Sequence, residues 1–157
     1  MKDARIRPAT PGDLAAMLAI LPRLAEFELP PRRSAEDLWK GDAKTLERWA
    51  VDGDPALIVL VADAPEAGVV GLALVRLQPE FMSGAPGAHL EAIGIRPAAD
   101  GHGIGKRLLA EAERAAIARG AQSMTLHVFA NNERARSVYD RTGYRGELLR
   151  YVKHLDD

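Results

Sequence analysis

The sequence predicts a mixed α/β fold on three observations: β-branched-rich runs through its centre, amphipathic helical stretches in its second half, and a glycine-rich turn joining a strand to a helix. The expected order is β-αα-βββ-α-β-α-ββ, a mixed central β-sheet flanked by helices in one domain over residues 1–157. That length fits a single core, and no internal repeat or low-complexity tail interrupts it.

Arg5-Ile6-Arg7 alternates as a short first strand. Thr10-Pro11-Gly12-Asp13 then reads as a capping box with proline at the first helical position. Leu14, Met17, Leu18 and Leu21 recur with helical spacing until Pro22, and a second short helix runs through Leu24, Ala25 and Phe27. Ser34 with Asp37 starts another capped helix, which Gly41-Asp42 should interrupt before Leu46, Trp49 and Ala50 continue an apolar stripe.

Leu57 to Val61 and Val69 to Leu77 read as strands around a polar hairpin turn, and a third strand runs from about His89 to Ile95. From Ile104 to Arg119 apolar residues fall at 104, 108, 109, 112, 115 and 116, a helical period closed by Gly120. Met124 to Val128 is the next strand, Asn132 to Arg141 a helix ending before Gly143, and Leu148 to Leu155 closes the chain in one or two strands.

Composition excludes several chemistries. With no cysteine there is no disulfide, thiolate metal site or cysteinyl thioester. Four histidines without HExxH or paired spacing predict no metal centre. A net charge of −1 argues against nucleic acid or an acidic membrane as partner. The start of the chain lacks a signal-like apolar segment and no apolar run is long enough to span a bilayer, so a cytoplasmic protein is expected.

The segment richest in chemistry runs from His89 to Lys106. Its loop, Gly101-His102-Gly103-Ile104-Gly105-Lys106, has alternate glycines that let successive N–H groups converge, and the helix start adds roughly half a positive charge, so an anion such as a diphosphate suits it. A tight turn without ligand fits the same residues. Asp100 and Arg107 stand where a Walker A loop needs glycine and Ser/Thr, and Lys106 stands at the last glycine of a dinucleotide fingerprint.

Asp100-Gly101-His102-Gly103-Ile104-Gly105, followed by Asn132-Glu133-Arg134-Ala135-Arg136-Ser137-Val138-Tyr139 and Gly143-Tyr144, resembles the paired motifs of the GNAT (GCN5-related) N-acetyltransferase superfamily. The resemblance is close from residue 88 to 144 and looser before. It implies an acetyl-CoA co-substrate whose pantetheine arm pairs with Ile93, Gly94 and Ile95, with the diphosphate on the 101–106 loop and Asn132 against the cofactor. Tyr139 would protonate the leaving thiolate. Asn132, Ala135 and Tyr139 share one helix face, and a buried structural tyrosine is the alternative reading of Tyr139. Glu91 is the candidate base for the amine proton, with a solvent-facing strand residue as its alternative and His89 as second choice.

Asp100 departs from the pattern, which has Arg or Gln there; Arg96, Lys106 and Arg107 are the cations expected to offset it. Leu24-Ala25-Glu26-Phe27-Glu28 is similar to the diamine (spermidine-type) branch, which would make Glu26 and Glu28 acceptor-binding residues for a polyamine-like amine. The partner implied is a small-molecule amine, with a homodimer allowed. Two alternatives stay open at this point: acetylation of protein N-termini or lysines, and a non-catalytic acyl-CoA-binding module.

Overall fold

The computed structural model describes residues 3–156, which fall into two compact units, one ending at His127 and the other beginning at Val128. In the first unit, β1 (Arg5–Pro8), β2 (Leu57–Ala64), β3 (Gly68–Pro79), β4 (Pro86–Ile95) and β5 (Met124–Leu126) form one sheet in the order β1-β2-β3-β4-β5. The first four are antiparallel and β5 runs parallel to β4. Helices α1 (Leu14–Ile20) and α2 (Lys40–Asp52) are inserted between β1 and β2, and α3 (Ile104–Ala118) between β4 and β5.

Alternation along the strands divides the sheet into two buried faces. Leu57, Val59 and Val61 of β2, with Leu72 and Leu74 of β3 and Ala92 of β4, form one core with Met17, Ile20 and Leu21 and with Ala43 and Leu46 of α2. α3 is amphipathic and buries Ile104, Leu108, Leu109, Ala112 and Ala116. Sheet faces covered by helices need the near-continuous apolar run seen in β2, where only Asp63 is not fully buried.

Local signals explain the helix starts. Before α1, a 3₁₀ turn at Pro11–Asp13 places the Asp13 carboxylate where it accepts from the Thr10 N–H at 2.8 Å, and Arg7 holds it from β1 at 2.8 and 3.0 Å. The Ser34–Asp37 box opens a 3₁₀ turn, Ala35–Leu38. Trp39, at φ −135° and ψ −9°, then re-aims the chain into α2.

Several expectations are corrected. Gly41-Asp42 does not interrupt a helix: it lies in the first turn of α2, where glycine costs little and a carboxylate is favoured by the helix start. The segment after α1 is a 3₁₀ turn, Leu21–Ala25, because Pro22 removes a backbone donor, and it stops before Phe27. β4 begins at Pro86, earlier than His89, and β5 ends at Leu126 instead of Val128.

In the second unit α4 spans Glu133–Arg141. No strand follows it among the described residues, contrary to the closing ββ expected from Leu148 to Leu155. A strand exists only within a ladder, and the residues that suggested one, Leu148, Leu149, Tyr151, Val152 and Leu155, are exposed. No described helix is long and apolar enough to cross a membrane.

Candidate active site

β4 is paired unequally on its two edges. It meets β3 along its whole length, but its parallel pairing with β5 covers only Ala88↔Met124, His89↔Thr125 and Leu90↔Leu126. At the point where β5 ends, Leu74 faces Ala92 and Val75 faces Leu90, so Glu91 is an extra residue in β4, a β-bulge. Beyond the bulge Arg96 N–H donates to Val70 O at 2.8 Å, which sets the even-numbered residues toward β3 and turns the backbone groups of Ile93 and Ile95 to the open edge. One of these is taken: the Ile95 carbonyl accepts from Arg23 Nε at 2.9 Å. Gly94 is there for packing, since a Cβ on it would lie 3.1 Å from Ile20 Cγ2.

After β4 a 3₁₀ turn, Pro97–Ala99, leads into the glycine loop. Gly101 and Gly103 have φ of 81° and 74°, and Gly103 is the N-cap of α3 with no side chain capping the helix. The first-turn N–H groups of α3 are therefore left for a ligand. A Cβ on Gly101 or Gly103 would meet nothing within 4 Å, so the loop is open around them. Ile104 is buried and offers only its backbone; Gly105 has room for a Cβ, 3.5 Å from Ile95 Cδ1. His102 and Lys106 are exposed, and Lys106 lines a cleft with Arg5, Ile6 and Arg107. An extended chain ending in a diphosphate fits this donor set.

The cations expected to balance Asp100 do not do so. Arg96 donates to Ala67 O at 3.2 Å and Arg107 to Ala4 O at 2.6 Å. Arg23 pairs with Asp100 from the turn after α1, its Nη2 2.5 Å from Oδ2. Arg23 also pairs with Glu26. Glu26 and Glu28 are both exposed.

Glu91 is not a free solvent-facing carboxylate. Arg76 Nε donates to it at 3.2 Å, and the same guanidinium lies 3.6 Å from Asp54. Asp42, on the first turn of α2, is close enough to act on Glu91 electrostatically; burial, and then the charge of Glu91, push its carboxyl up to about 7. Asp42 has no hydrogen-bond or ion-pair partner among the described residues. His89 sits 2.7 Å through Nδ1 from Thr125 Oγ1 and meets His127 edge-on at 4.7 Å. Burial and the charge of His127 lower its basicity, against an opposing pull from Glu91. Sequence reasoning missed Asp42, Arg76 and Arg23, because each acquires its role through residues far away in the chain.

Within the second unit, the side-chain oxygen of Asn132 caps α4 by accepting from Ala135 N–H at 3.3 Å. Tyr139 packs edge-on against Tyr144 at 5.7 Å, and burial pushes its phenol up, so it is protonated at neutral pH.

A sheet edge opened by a bulge thus leads into a helix start that no side chain among the described residues caps. Residues 19–144 match the Acetyltransferase (GNAT) family, and the chain belongs to that family. It is 32% identical over 80 residues, 51% of this chain, to "Uncharacterized N-acetyltransferase YycN" of Bacillus subtilis. It is 31% identical over 140 residues, 88% of this chain, to mycothiol acetyltransferase of Kineococcus radiotolerans. The alignments cover 50% and 42% of those two relatives, so the chain spans about half their length or less. Among solved structures, one described as a transcriptional regulator from Bacillus halodurans is 26% identical at a TM-score of 0.72, over 97% of this chain and 99% of that one. AAC(6')-Iy, solved with a CoA-linked bisubstrate analogue, is 18% identical at a TM-score of 0.72 over 96% and 98%, and shares the fold.

Proposed function

We propose that this chain is an acetyl-CoA-dependent N-acetyltransferase that passes the acetyl group directly to a primary amine of a small molecule. The observation that carries the reading is the continuity of the free β4 edge beyond Glu91 with the uncapped start of α3. Ile93 and Ile95 offer backbone groups to the amide-bearing pantetheine arm, and the loop from Gly101 to Lys106 offers N–H donors and a cation to the diphosphate. The absence of cysteine accords with transfer in a ternary complex without a cysteinyl intermediate.

Acetyl-CoA supplies the activated acyl group and a thiolate leaving group. Glu91, or a water it holds, takes a proton from the ammonium so that a neutral nitrogen attacks; a C–N bond forms and the C–S bond breaks. Tyr139 supplies the proton that the thiolate needs, and the second proton lost by nitrogen balances it. Arg76 holds Glu91 through its Nε. The acceptor is a cationic amine, drawn by Glu91 and Asp42 and, for a polyamine, by Glu26 and Glu28. Glu26 already shares Arg23, so a second ammonium group competes with that guanidinium.

An alternative acceptor is a protein N-terminus, favoured by 31% identity over 87 residues, 55% of this chain, to the catalytic subunit ard1 of the N-terminal acetyltransferase A complex of Schizosaccharomyces pombe. The deciding experiment follows free-thiol release from acetyl-CoA with a panel of polyamines, aminoglycosides, monoamines and N-terminal peptides. Turnover is expected on a small amine. Exclusive turnover on peptides selects the alternative, and acetyl-CoA binding without turnover on any acceptor leaves a binding module. Tyr139→Phe is expected to retain acetyl-CoA binding and slow chemistry about 100-fold, the low end for general acid catalysis with a fair leaving group; wild-type turnover in that variant rejects the acid role.

A further inference from the structure

Lys106 opens onto more than the glycine loop. With Arg5, Ile6, Arg107 and Arg114 it lines a cleft of about 390 Å³ between the start of β1 and the first turns of α3, in which Glu111 is the one carboxylate. That volume lies within the range of small-ligand sites. The lining residues of α3 follow one another at helical spacing along one flank, while Ile104, Leu108, Ala112 and Ala116 are buried on the other. Arg107 reaches across to β1, its Nη2 2.6 Å from Ala4 O, a contact that fixes the guanidinium without neutralising it. Glu111 pairs with Arg114. Arg5 and Lys106 form no ion pair among the described residues. The cleft is therefore strongly cationic. Arg107 N–H donates to Gly103 O at 3.2 Å, so from Arg107 onward the backbone donors of α3 are used within the helix. A negative group on this flank can be met only by side chains.

We infer that this cleft takes the 3′-phosphate of acetyl-CoA, so that the chain holds both anionic groups of its co-substrate. The inference rests on the reading of the loop as the diphosphate site and carries it one group further. The two groups hang from one ribose, a few bonds apart. Arg107 follows Gly103 by four residues, about 6 Å along the helix. A diphosphate on the free N–H groups of the first turn thus brings the 3′-phosphate within reach of the cleft, with Lys106 between them. The 3′-phosphate is a monoester carrying close to two negative charges at neutral pH, and guanidinium forks suit its oxygens. Backbone donors meet one anion and side chains the other, so the two contacts can be separated by mutation.

The test is isothermal titration of the full chain with acetyl-CoA and with 3′-dephospho-acetyl-CoA, which needs no turnover. Lys106 is left intact, because it also faces the diphosphate. Wild type is expected to bind acetyl-CoA about tenfold more tightly than the dephospho form, the scale of a charge-assisted contact. Arg107→Ala is expected to reduce that ratio to about threefold and Arg5→Ala/Arg107→Ala to about one, with affinity for the dephospho form within about twofold of wild type throughout. Rising salt should narrow the wild-type ratio. A ratio that survives in the double variant overturns the inference, and so does an equal loss of affinity for both forms. If the double variant does not fold, an undiminished ratio in both single variants overturns it. Equal binding of the two forms by wild type leaves the proposed function standing and removes only this inference, whereas a wild-type chain that binds neither form removes the proposed function itself.

Discussion

The starts of α1 and α2 place similar carboxylates on the same helical layer and leave them at opposite ends of the titration range. Asp13 sits under Arg7, whose guanidinium, with the Thr10 N–H, outweighs burial and holds the carboxyl down at about 2. Asp42 has burial and the neighbouring Glu91 but no cation paired with it among the described residues, and it rises to about 7. A helix start favours an anion by roughly 0.3–1 kcal/mol. At Asp42 burial and the like charge win. The start of α3 is a third case, with no side chain closing it. One helix start is closed by the protein, one holds a carboxylate without a partner, and one is left bare. Closed ends hold the fold together; at the open ends the backbone donors or the carboxylate have no side-chain partner among the described residues.

Breaking the bare end should have the largest effect. Acetyl-CoA at 100 times its dissociation constant is expected to stabilise the wild type by about 2.7 kcal/mol. In Gly103→Val a β-branched residue at φ 74° distorts the cap and places a side chain over the free N–H groups, so the stabilisation should vanish in a thermal-shift assay. A shift equal to wild type would remove the loop from the cofactor site.

Opening the closed end comes next. Asp13→Ala removes a bidentate ion pair and the box at Thr10, and is expected to cost about 2 kcal/mol, roughly 4–8 °C in melting temperature. The folded pKa of Asp13 lies below its ordinary value of 3.8, so its contribution is present above pH 3.8 and is lost as pH falls through about 2. Wild type and variant should converge over that window. A constant gap between them would assign the loss to packing instead of charge.

The smallest effect sharpens the contrast at α2. The folded pKa of Asp42 lies above 3.8, so the folded state binds this proton more tightly than the unfolded one, and the stability that protonation confers is lost as pH rises from 3.8 through about 7. Asp42→Asn should therefore raise the melting temperature at pH 8 and change it less at pH 5. Equal changes at both values would mean that the carboxylate titrates normally. With Glu91→Gln as background the effect should diminish, since one cause of the shift is gone.

Much of this fold was legible in the residues alone. Helix caps, apolar periods and the strand-loop-helix passage from β4 to α3 are encoded by neighbours in the chain, and hydrophobic spacing and turn residues act over a few positions. The candidate loop rests on a contiguous motif, and the expectation for Glu91 on its place two residues before Ile93 and on the resemblance. Gly41-Asp42 misled because the break it suggests lies two residues earlier, at Trp39. The end of the chain misled because β-forming residues near Leu148 and Tyr151 declare a propensity but no partner.

By itself the sequence determined the order of elements through β5 and α4, the glycine loop and the family. Only the tertiary structure decided that Glu91 is a bulge residue held by Arg76, that Asp42 stands close enough to feel its charge, and that Arg23 pairs with Asp100. Each of these depends on groups brought together from distant positions, 15, 49 and 77 residues apart. A charge acts through space, and its effect is set by the distance and burial that folding creates, neither of which spacing along the chain records.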